Sequence, residues 1–268
     1  MEVLEAIIIG MIQGIFEWIP VSSEGINSLV MINLFGKGFG QAVTIAIWLH
    51  LGTVLAAIIN FRKEVWNIIK TKIEILTNPS SYSIYGEKFK LFNFLLFATL
   101  ASLCIGGIVY FSAIKNMNIA GSIATIIIGV MLLITGLILM KAKTKKKPRE
   151  TNVSDSLLVG ALQGLSIIPG ISRSGITAST LLMKGYTAKN ALTLSFLMSI
   201  PAILIAVIAI IVFEGFYFGT SSLIALVTSF LFGLLTIKLL MRVAEKINFG
   251  WFCIIFGLLS ILSGIIFF

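Results

Sequence analysis

Two stretches decide the fold: QGIFEWIPVSSEG at Gln13–Gly25 and QGLSIIPGISRSG at Gln163–Gly175. They align at an offset of 150, with matched Gln-Gly, Ser and Gly and with the prolines slipped by one. Each sits in the middle of an apolar region, Met1–Phe35 or Ser154–Lys184, and breaks it with a Pro/Ser/Gly cluster. The halves left on either side run to roughly 10–15 residues, whereas a bilayer span takes about 20. Interrupted apolar segments in corresponding halves of a chain point to discontinuous helices and a site near the membrane midplane. The likeness continues outward. Gln41–Ala57 resembles Asn190–Ala206, and Ile126–Gly136 resembles Ile254–Gly264, both of these with glycines seven residues apart.

Composition places these stretches in a membrane. Of 268 residues, 58% are apolar and 12% charged, with a mean hydropathy of +1.06. A soluble domain has about 45–50% apolar and about 25% charged residues, so a soluble enzyme, a disordered chain and a disulfide-stapled module are excluded. Six further stretches are long enough to cross: Gln41–Asn60, Leu91–Phe111, Ile119–Met140, Ala191–Phe213, Ser221–Met241 and Phe249–Phe268. Lipid-exposed backbone must satisfy its own hydrogen bonds, so all are read as helices. Cys104 and Cys253 lie in apolar stretches without metal-ligand spacing and read as buried free thiols. The acidic start Met-Glu-Val-Leu-Glu lacks the basic region of a cleaved signal peptide.

The net charge of +9 serves as a topology ruler. No basic face is interleaved with aromatics, so nucleic acid is not expected as a partner; basic residues instead collect in cytoplasmic loops. With Lys141–Arg149 inside, counting spans also puts Arg62–Lys90, Lys184/Lys189 and Lys238–Lys246 inside, 17 of the 20 basic residues. Region 154–184 then begins and ends inside, as a re-entrant hairpin. Region 1–35 ends outside. As a second hairpin it puts the N-terminus outside with the C-terminus; as one tilted span it would put the N-terminus inside. The expected fold is an all-α polytopic membrane protein with six full spans and two re-entrant hairpins in an inverted-topology repeat. Its halves are 1–140 and 150–268, joined by a basic linker at 141–149.

The breaks carry the chemistry. Glu17 and Glu24 are in the first and Arg173 is in the second, while the rest of the apolar core is nearly free of charge. A charge near the bilayer centre costs about 2.5–3.5 kcal/mol even on insertion scales, so such residues mark functional sites. Ser22, Ser23, Ser172 and Ser174 precede new apolar stretches and can cap half-helices. Gly25, Gly170 and Gly175 permit tight turns and close backbone approach. Two helix N-termini meeting near the midplane would cradle a phosphate, Arg173 would add a bidentate contact, and Thr177 lies one turn into the second half-helix. A purely anion-binding pocket has no use for Glu17. Its presence suggests acid–base or metal-assisted chemistry on a phosphoryl group, and a hard cation such as Mg²⁺ needs only one or two carboxylates plus substrate phosphates. Glu24 is read either as a partner of Arg173 or as a second ligand of that metal. His50, the one histidine, reads as a core residue with a hydrogen-bond partner.

These motifs resemble the bacitracin-resistance type of undecaprenyl-diphosphate phosphatase. The first family motif, Glu or Gln, three residues, then Glu, appears as Gln13 and Glu17 and runs on into Pro20–Ser23. The second, Pro-Gly-x-Ser-Arg-Ser-x-x-Thr, appears in full at Pro169–Thr177. The likeness extends to His50–Ala56, Phe61–Glu64, Ser195–Ala202 and Thr236–Arg242. The resemblance implies a hydrolase of the plasma membrane that removes the terminal phosphate of a polyprenyl diphosphate. That reaction recycles the monophosphate carrier of wall or surface glycans. It further implies Mg²⁺ or Ca²⁺ dependence and a site open to the outer face; membrane lipids are further expected partners, and a homodimer is left open. Glu17, Ser23, Arg173 and Thr177 would take the functional roles, with Ser23 as nucleophile or phosphate ligand and Glu17 binding metal or activating the attacking group. Gln13, Ser22, Gly25, Gly170, Ser172, Ser174 and Gly175 would line the substrate. Two departures stand out. Ile26 occupies the place of the family's histidine, and Thr193 that of a family glutamate. They leave open a different polyprenyl lipid, or a flippase or transporter using the same anion site.

Overall fold

The computed structural model describes residues 2–19, 21–84, 86–114, 121–141, 150–168, 170–213, 219–243 and 249–266. Pro20 and Pro169 of the two motifs, Lys115, Glu214, Lys246 and residues 142–149 of the basic linker lie outside them. Every regular element among the described residues is helical. Five helices are long and apolar enough to cross a membrane: Phe39–Asn60, Glu87–Ser112, Ser122–Lys141, Ala188–Ala209 and Thr220–Arg242. The expected sixth span is a helix over Phe249–Ile266.

The two interrupted regions are helix pairs. Helix α1 (Val3–Phe16) stops at Glu17, and α2 (Ser23–Asn33) restarts behind Ser22. In the second half, α7 (Val153–Gly164) passes through a short 3₁₀ turn, Leu165–Ile167, and α8 (Arg173–Met183) restarts behind Ser172. Both restarts have the same cap: Ser22 Oγ accepts from the Gly25 amide at 3.0 Å, and Ser172 Oγ from the Gly175 amide at 3.1 Å. Such a cap contributes about 1 kcal/mol by satisfying one orphan N–H.

Each pair folds back on itself. In the first, Ser23 reaches Glu17, Asn27 reaches Gln13, and Lys37 reaches Glu5 at 3.2 Å, so α1 and α2 run antiparallel. In the second, Lys184 reaches Asp155 at 3.5 Å. Glu5 and Asp155 are separated by the repeat offset, so a related acid closes the mouth of each hairpin. The tips touch in the middle of the molecule: Gly170, at φ +98°, donates its amide to Ser22 Oγ at 3.3 Å.

The longer helices are α3 (Phe39–Asn60), α5 (Lys90–Val109), α6 (Gly121–Lys141), α9 (Ala188–Phe213), α10 (Thr220–Val243) and α11 (Phe249–Ile266). The halves interlock, since α1 packs on α10 while α7 packs on α5, and α6 packs on α11. Small residues allow this approach, as they do wherever lipid removes the hydrophobic drive for helix association. A Cβ added at Gly160 would lie 2.2 Å from the Ala98 carbonyl oxygen, and one at Gly10 would lie 2.5 Å from that of Ala225.

One region departs from the sequence reading. Arg62–Lys90, read as a basic loop, contains a further helix, α4 (Arg62–Thr77), with Trp66, Ile69, Ile73 and Leu76 exposed along one stripe. Its charged residues hid a helical period in the apolar ones.

Candidate active site

Glu17 is the hub. It sits at the C-cap of α1 and is 3% exposed. Trp18 anchors the turn that follows by donating its indole N–H to the Gly233 carbonyl on α10 at 3.0 Å, and Phe196 meets its ring edge-on. The carboxylate is surrounded by donors. Oε2 accepts from Ser23 Oγ at 2.7 Å and Gln13 Nε2 at 2.8 Å, and faces His50 Nε2 at 3.2 Å. Oε1 accepts from Arg173 Nη2 at 2.5 Å. Gln13 is itself oriented by Asn27 Nδ2 at 2.9 Å. A buried carboxylate would be costly alone, and here each oxygen is paired, which offsets the loss of water.

His50 was read as an ordinary core residue, and the structure brings it to the hub from α3. Its Nδ1 lies 2.7 Å from the Ala46 carbonyl oxygen and must donate there, so that nitrogen carries a proton. Nε2 then meets Glu17 Oε2 through a shared proton, because two bare acceptors would repel. No spacing in the sequence relates His50 to Glu17; the only hint was an ionisable group inside a span.

Arg173, at the first residue of α8, crosses from one hairpin tip to the other. Besides Glu17 it reaches the Ser195 carbonyl through Nη1 at 3.3 Å, and its Nε has no partner. Thr177 stands behind it, donating to the Arg173 carbonyl at 2.7 Å and sharing a hydrogen bond with Ser195 Oγ at 2.6 Å. Thr177 does not line the cavity, and it braces Arg173 from the rear. Gln13 likewise backs Glu17. Gly25, Gly170 and Gly175 shape the turns.

The cavity has a volume of about 260 Å³. Its polar lining includes Glu17, Ser22, Ser23, Glu24, His50, Ser172, Arg173 and Ser174 from the two hairpin tips and α3. Its apolar lining comes from α5 (Leu103, Gly106), from Phe111 in the turn just beyond it, and from α9 (Ile203, Ala206, Ala209). Ser102, Gln163 and Ser166 also line it and were not singled out from the sequence. Glu24 forms no ion pair with Arg173 among the described contacts; its Oε1 is buried without a hydrogen-bond partner.

No group of three or more His, Cys, Asp or Glu side chains among the described residues is arranged to hold a metal ion by itself. The donor set nevertheless suits a hard cation that takes most of its ligands from substrate and water. Glu24 offers an unpartnered carboxylate oxygen, whereas Glu17 is already occupied by four side chains.

Comparison with known proteins adds the family. Residues 6–259 match the model described as bacitracin resistance protein BacA. The chain is 42% identical over 263 residues to the undecaprenyl-diphosphatase of Methanococcoides burtonii, covering 97% of both chains. It is 36% identical over 265 residues to that of Methanothrix thermoacetophila, covering 97% of this chain and 96% of the other. It is 34% identical over 271 residues to that of Haloarcula marismortui, covering 98% of both.

Proposed function

The chain belongs to the BacA family of bacitracin resistance proteins, and from that premise we propose that it hydrolyses undecaprenyl diphosphate, or a closely similar polyprenyl diphosphate, to the monophosphate and inorganic phosphate. The observation that carries this reading is the hydrogen bond from Ser23 Oγ to Glu17 Oε2 beside Arg173, in a cavity that is also lined by apolar residues of α5 and α9. An anion carrier needs the arginine, whereas a hydroxyl held on a buried carboxylate beside that arginine has the arrangement of an activated nucleophile.

The geometry fits an in-line displacement. Glu17 Oε2 takes the Ser23 proton as Oγ bonds to the terminal phosphorus, and the bridging P–O bond breaks with its electrons leaving on the polyprenyl monophosphate. Water then displaces Oγ from phosphorus, its protons leaving with the inorganic phosphate, and Ser23 recovers its own proton from Glu17. His50 holds Glu17 from the far side and keeps its Oε2 on Ser23. Arg173, braced by Thr177 and Ser195, turns from Glu17 to the phosphate oxygens. The capped N-termini of α2 and α8 face the same region and favour its negative charge. A divalent cation, Mg²⁺ or Ca²⁺, would be held by Glu24 and the substrate's phosphate oxygens, and would neutralise part of the charge on the diphosphate. The apolar walls from α5 and α9 suit the first isoprene units.

In the membrane, the hairpins enter from opposite faces as an inverted-topology pair flanked by six spans, with both termini and the mouth of the site outside. The antiparallel hairpins, the interlocked packing of α1 on α10 and α7 on α5, and the distribution of basic residues support this arrangement.

Purified protein with farnesyl or undecaprenyl diphosphate and Mg²⁺, Ca²⁺ or EDTA tests the reading. Wild type is expected to release phosphate with a divalent ion, and Glu17→Ala and Arg173→Ala are expected to lose that release. Wild-type release no greater than that of the variants under every metal would refute it, and vesicle flip-flop of a labelled polyprenyl phosphate would then test transport.

A further inference from the structure

Gln163 is the repeat partner of Gln13, and the two glutamines live in different surroundings. Gln13 spends its amide N–H on Glu17 and accepts from Asn27. At the related positions of the second half stand Ile167, which has no polar group, and Thr177, which is turned to Ser195. Gln163 therefore lacks both of its twin's partners. Its Nε2 reaches across to Ser102 Oγ on α5 at 3.2 Å, and its Oε1 has no partner at all. The side chain is 3% exposed and lines the same cavity as Arg173 and Glu24. A buried amide atom left unpaired costs about 1–3 kcal/mol, so an unpaired one on a side chain that lines a cavity is an offer to a ligand.

The polarity of that offer is adjustable. Amide O and N are interchangeable by half a turn about the last torsion. After that turn Ser102 Oγ–H donates to Oε1, keeping the α5–α7 bond, and the N–H₂ group takes the unpaired place that the oxygen held. A glutamine backed by a hydroxyl, which can donate or accept, thus presents neutral donors without losing its own anchor. A diphosphate has two anionic groups. The one being cut lies at Ser23 and Arg173, and its neighbour needs donors that do not repel Glu24 or compete with the cation.

We propose that Gln163, held by Ser102, is a substrate-binding residue that donates its amide N–H to the second, lipid-proximal phosphate. The inference rests on the phosphatase reading for the assignment of that ligand. Its test is steady-state kinetics of the purified full chain with farnesyl diphosphate, together with inhibition by inorganic pyrophosphate and by inorganic phosphate. Gln163→Leu, of similar volume and with no orphan atom, is expected to raise KM and the pyrophosphate inhibition constant roughly tenfold or more, the range for a hydrogen bond to a charged group. The phosphate inhibition constant should stay put and kcat should fall less than threefold. Gln163→Glu should bind pyrophosphate at least as poorly as Gln163→Leu. Unchanged KM and pyrophosphate inhibition in Gln163→Leu would overturn the proposal. So would wild-type or tighter pyrophosphate binding by Gln163→Glu, since that would make the group an acceptor, or an equal loss of phosphate inhibition. If Gln163→Leu does not fold, Ser102→Ala carries the same comparison, with a severalfold rise in KM expected and no rise refuting it. If wild type hydrolyses no polyprenyl diphosphate, the phosphatase reading fails by itself. Thermal stabilisation by pyrophosphate, compared between wild type and Gln163→Leu, then decides the role of Gln163 separately.

Discussion

Replacing Glu17 with Gln is the sharpest perturbation of the site, because it keeps the shape and removes the charge. Four side chains point donors or a shared proton at this carboxylate. A glutamine can still accept from Ser23 through one oxygen, 2.7 Å away in the native site, but it is too weak a base to take the hydroxyl proton. Its amide N–H₂ would also face the Arg173 guanidinium, donor against donor. Loss of a positioned general base costs about a hundredfold to ten-thousandfold in kcat. The stability cost is smaller. Arg173 loses its carboxylate, yet its side chain is 12% exposed to the cavity and retains the Ser195 carbonyl, so about 1–3 kcal/mol is expected rather than the larger penalty of a sealed, unpaired charge. The two effects separate in one assay series, with phosphate release measured at saturating substrate and thermal unfolding in the same detergent. Glu17→Asp should also fail, since one methylene less cannot reach both Ser23 and Arg173. The double variant with Arg173→Gln should lose hardly more activity than either single variant, as expected for residues acting as a unit. A folded Glu17→Gln protein with kcat within threefold of wild type would refute the role of Glu17 as base. Additive losses in the double variant would refute the shared hub.

Three further outcomes follow from the same geometry. His50→Gln keeps a donor for Glu17 Oε2 and should retain much of kcat, while His50→Leu should lose about tenfold or more; equal activity of His50→Leu and wild type in phosphate release would remove His50 from the site. Gly160→Val should unfold or fail to assemble because its Cβ would lie 2.2 Å from the Ala98 carbonyl oxygen, whereas Gly107→Ala, with open space around the added atom, should gain up to about 1 kcal/mol in helix propensity, and matching melting temperatures for the two would contradict the packing of α7 on α5. Single cysteines at Met1 and Lys145, in a chain cleared of Cys104 and Cys253, should react with impermeant reagent from opposite sides, and labelling of both from one side would refute the paired hairpins.

The parts of the molecule legible in sequence were those in which one residue type admits few explanations. Glu17 and Arg173 stood out against hydrocarbon, and they form an ion pair. Ser22 and Ser172 stood before apolar stretches, and both cap helices. His50, Ser102 and Gln163 were not legible as site residues. Each lies within a helix whose pattern is satisfied by burial alone, and only packing between helices aims them at the cavity. Thr177 shows the converse. Its motif position suggested contact with the reacting group, but a hydroxyl one turn into a helix readily bonds back to a carbonyl three or four residues earlier, and here it does so to Arg173. Helix α4 was hidden because its apolar stripe is diluted by charge.

The two halves agree wherever architecture is at stake and differ wherever chemistry is. Gly10 and Gly160, Gly14 and Gly164, Ser22 and Ser172, and Gly25 and Gly175 are repeat-related pairs serving close packing or capping in both halves. Glu17 aligns with Ile167 across the repeat, Ser23 with Arg173, and Glu24 with Ser174. If the halves were identical, the tips would bring together either two carboxylates or two guanidiniums, and like charges at that distance in low dielectric would drive the hairpins apart. Divergence at these positions turns two repelling tips into one that carries Glu17 and Ser23 and another that carries Arg173, the pairing on which the proposed chemistry rests. The same divergence strips Gln163 of the partners that occupy Gln13. Asymmetry at the tips thus both pairs Glu17 with Arg173 across the hairpins and leaves the Gln163 amide oxygen without a partner, the feature on which the proposed substrate contact rests.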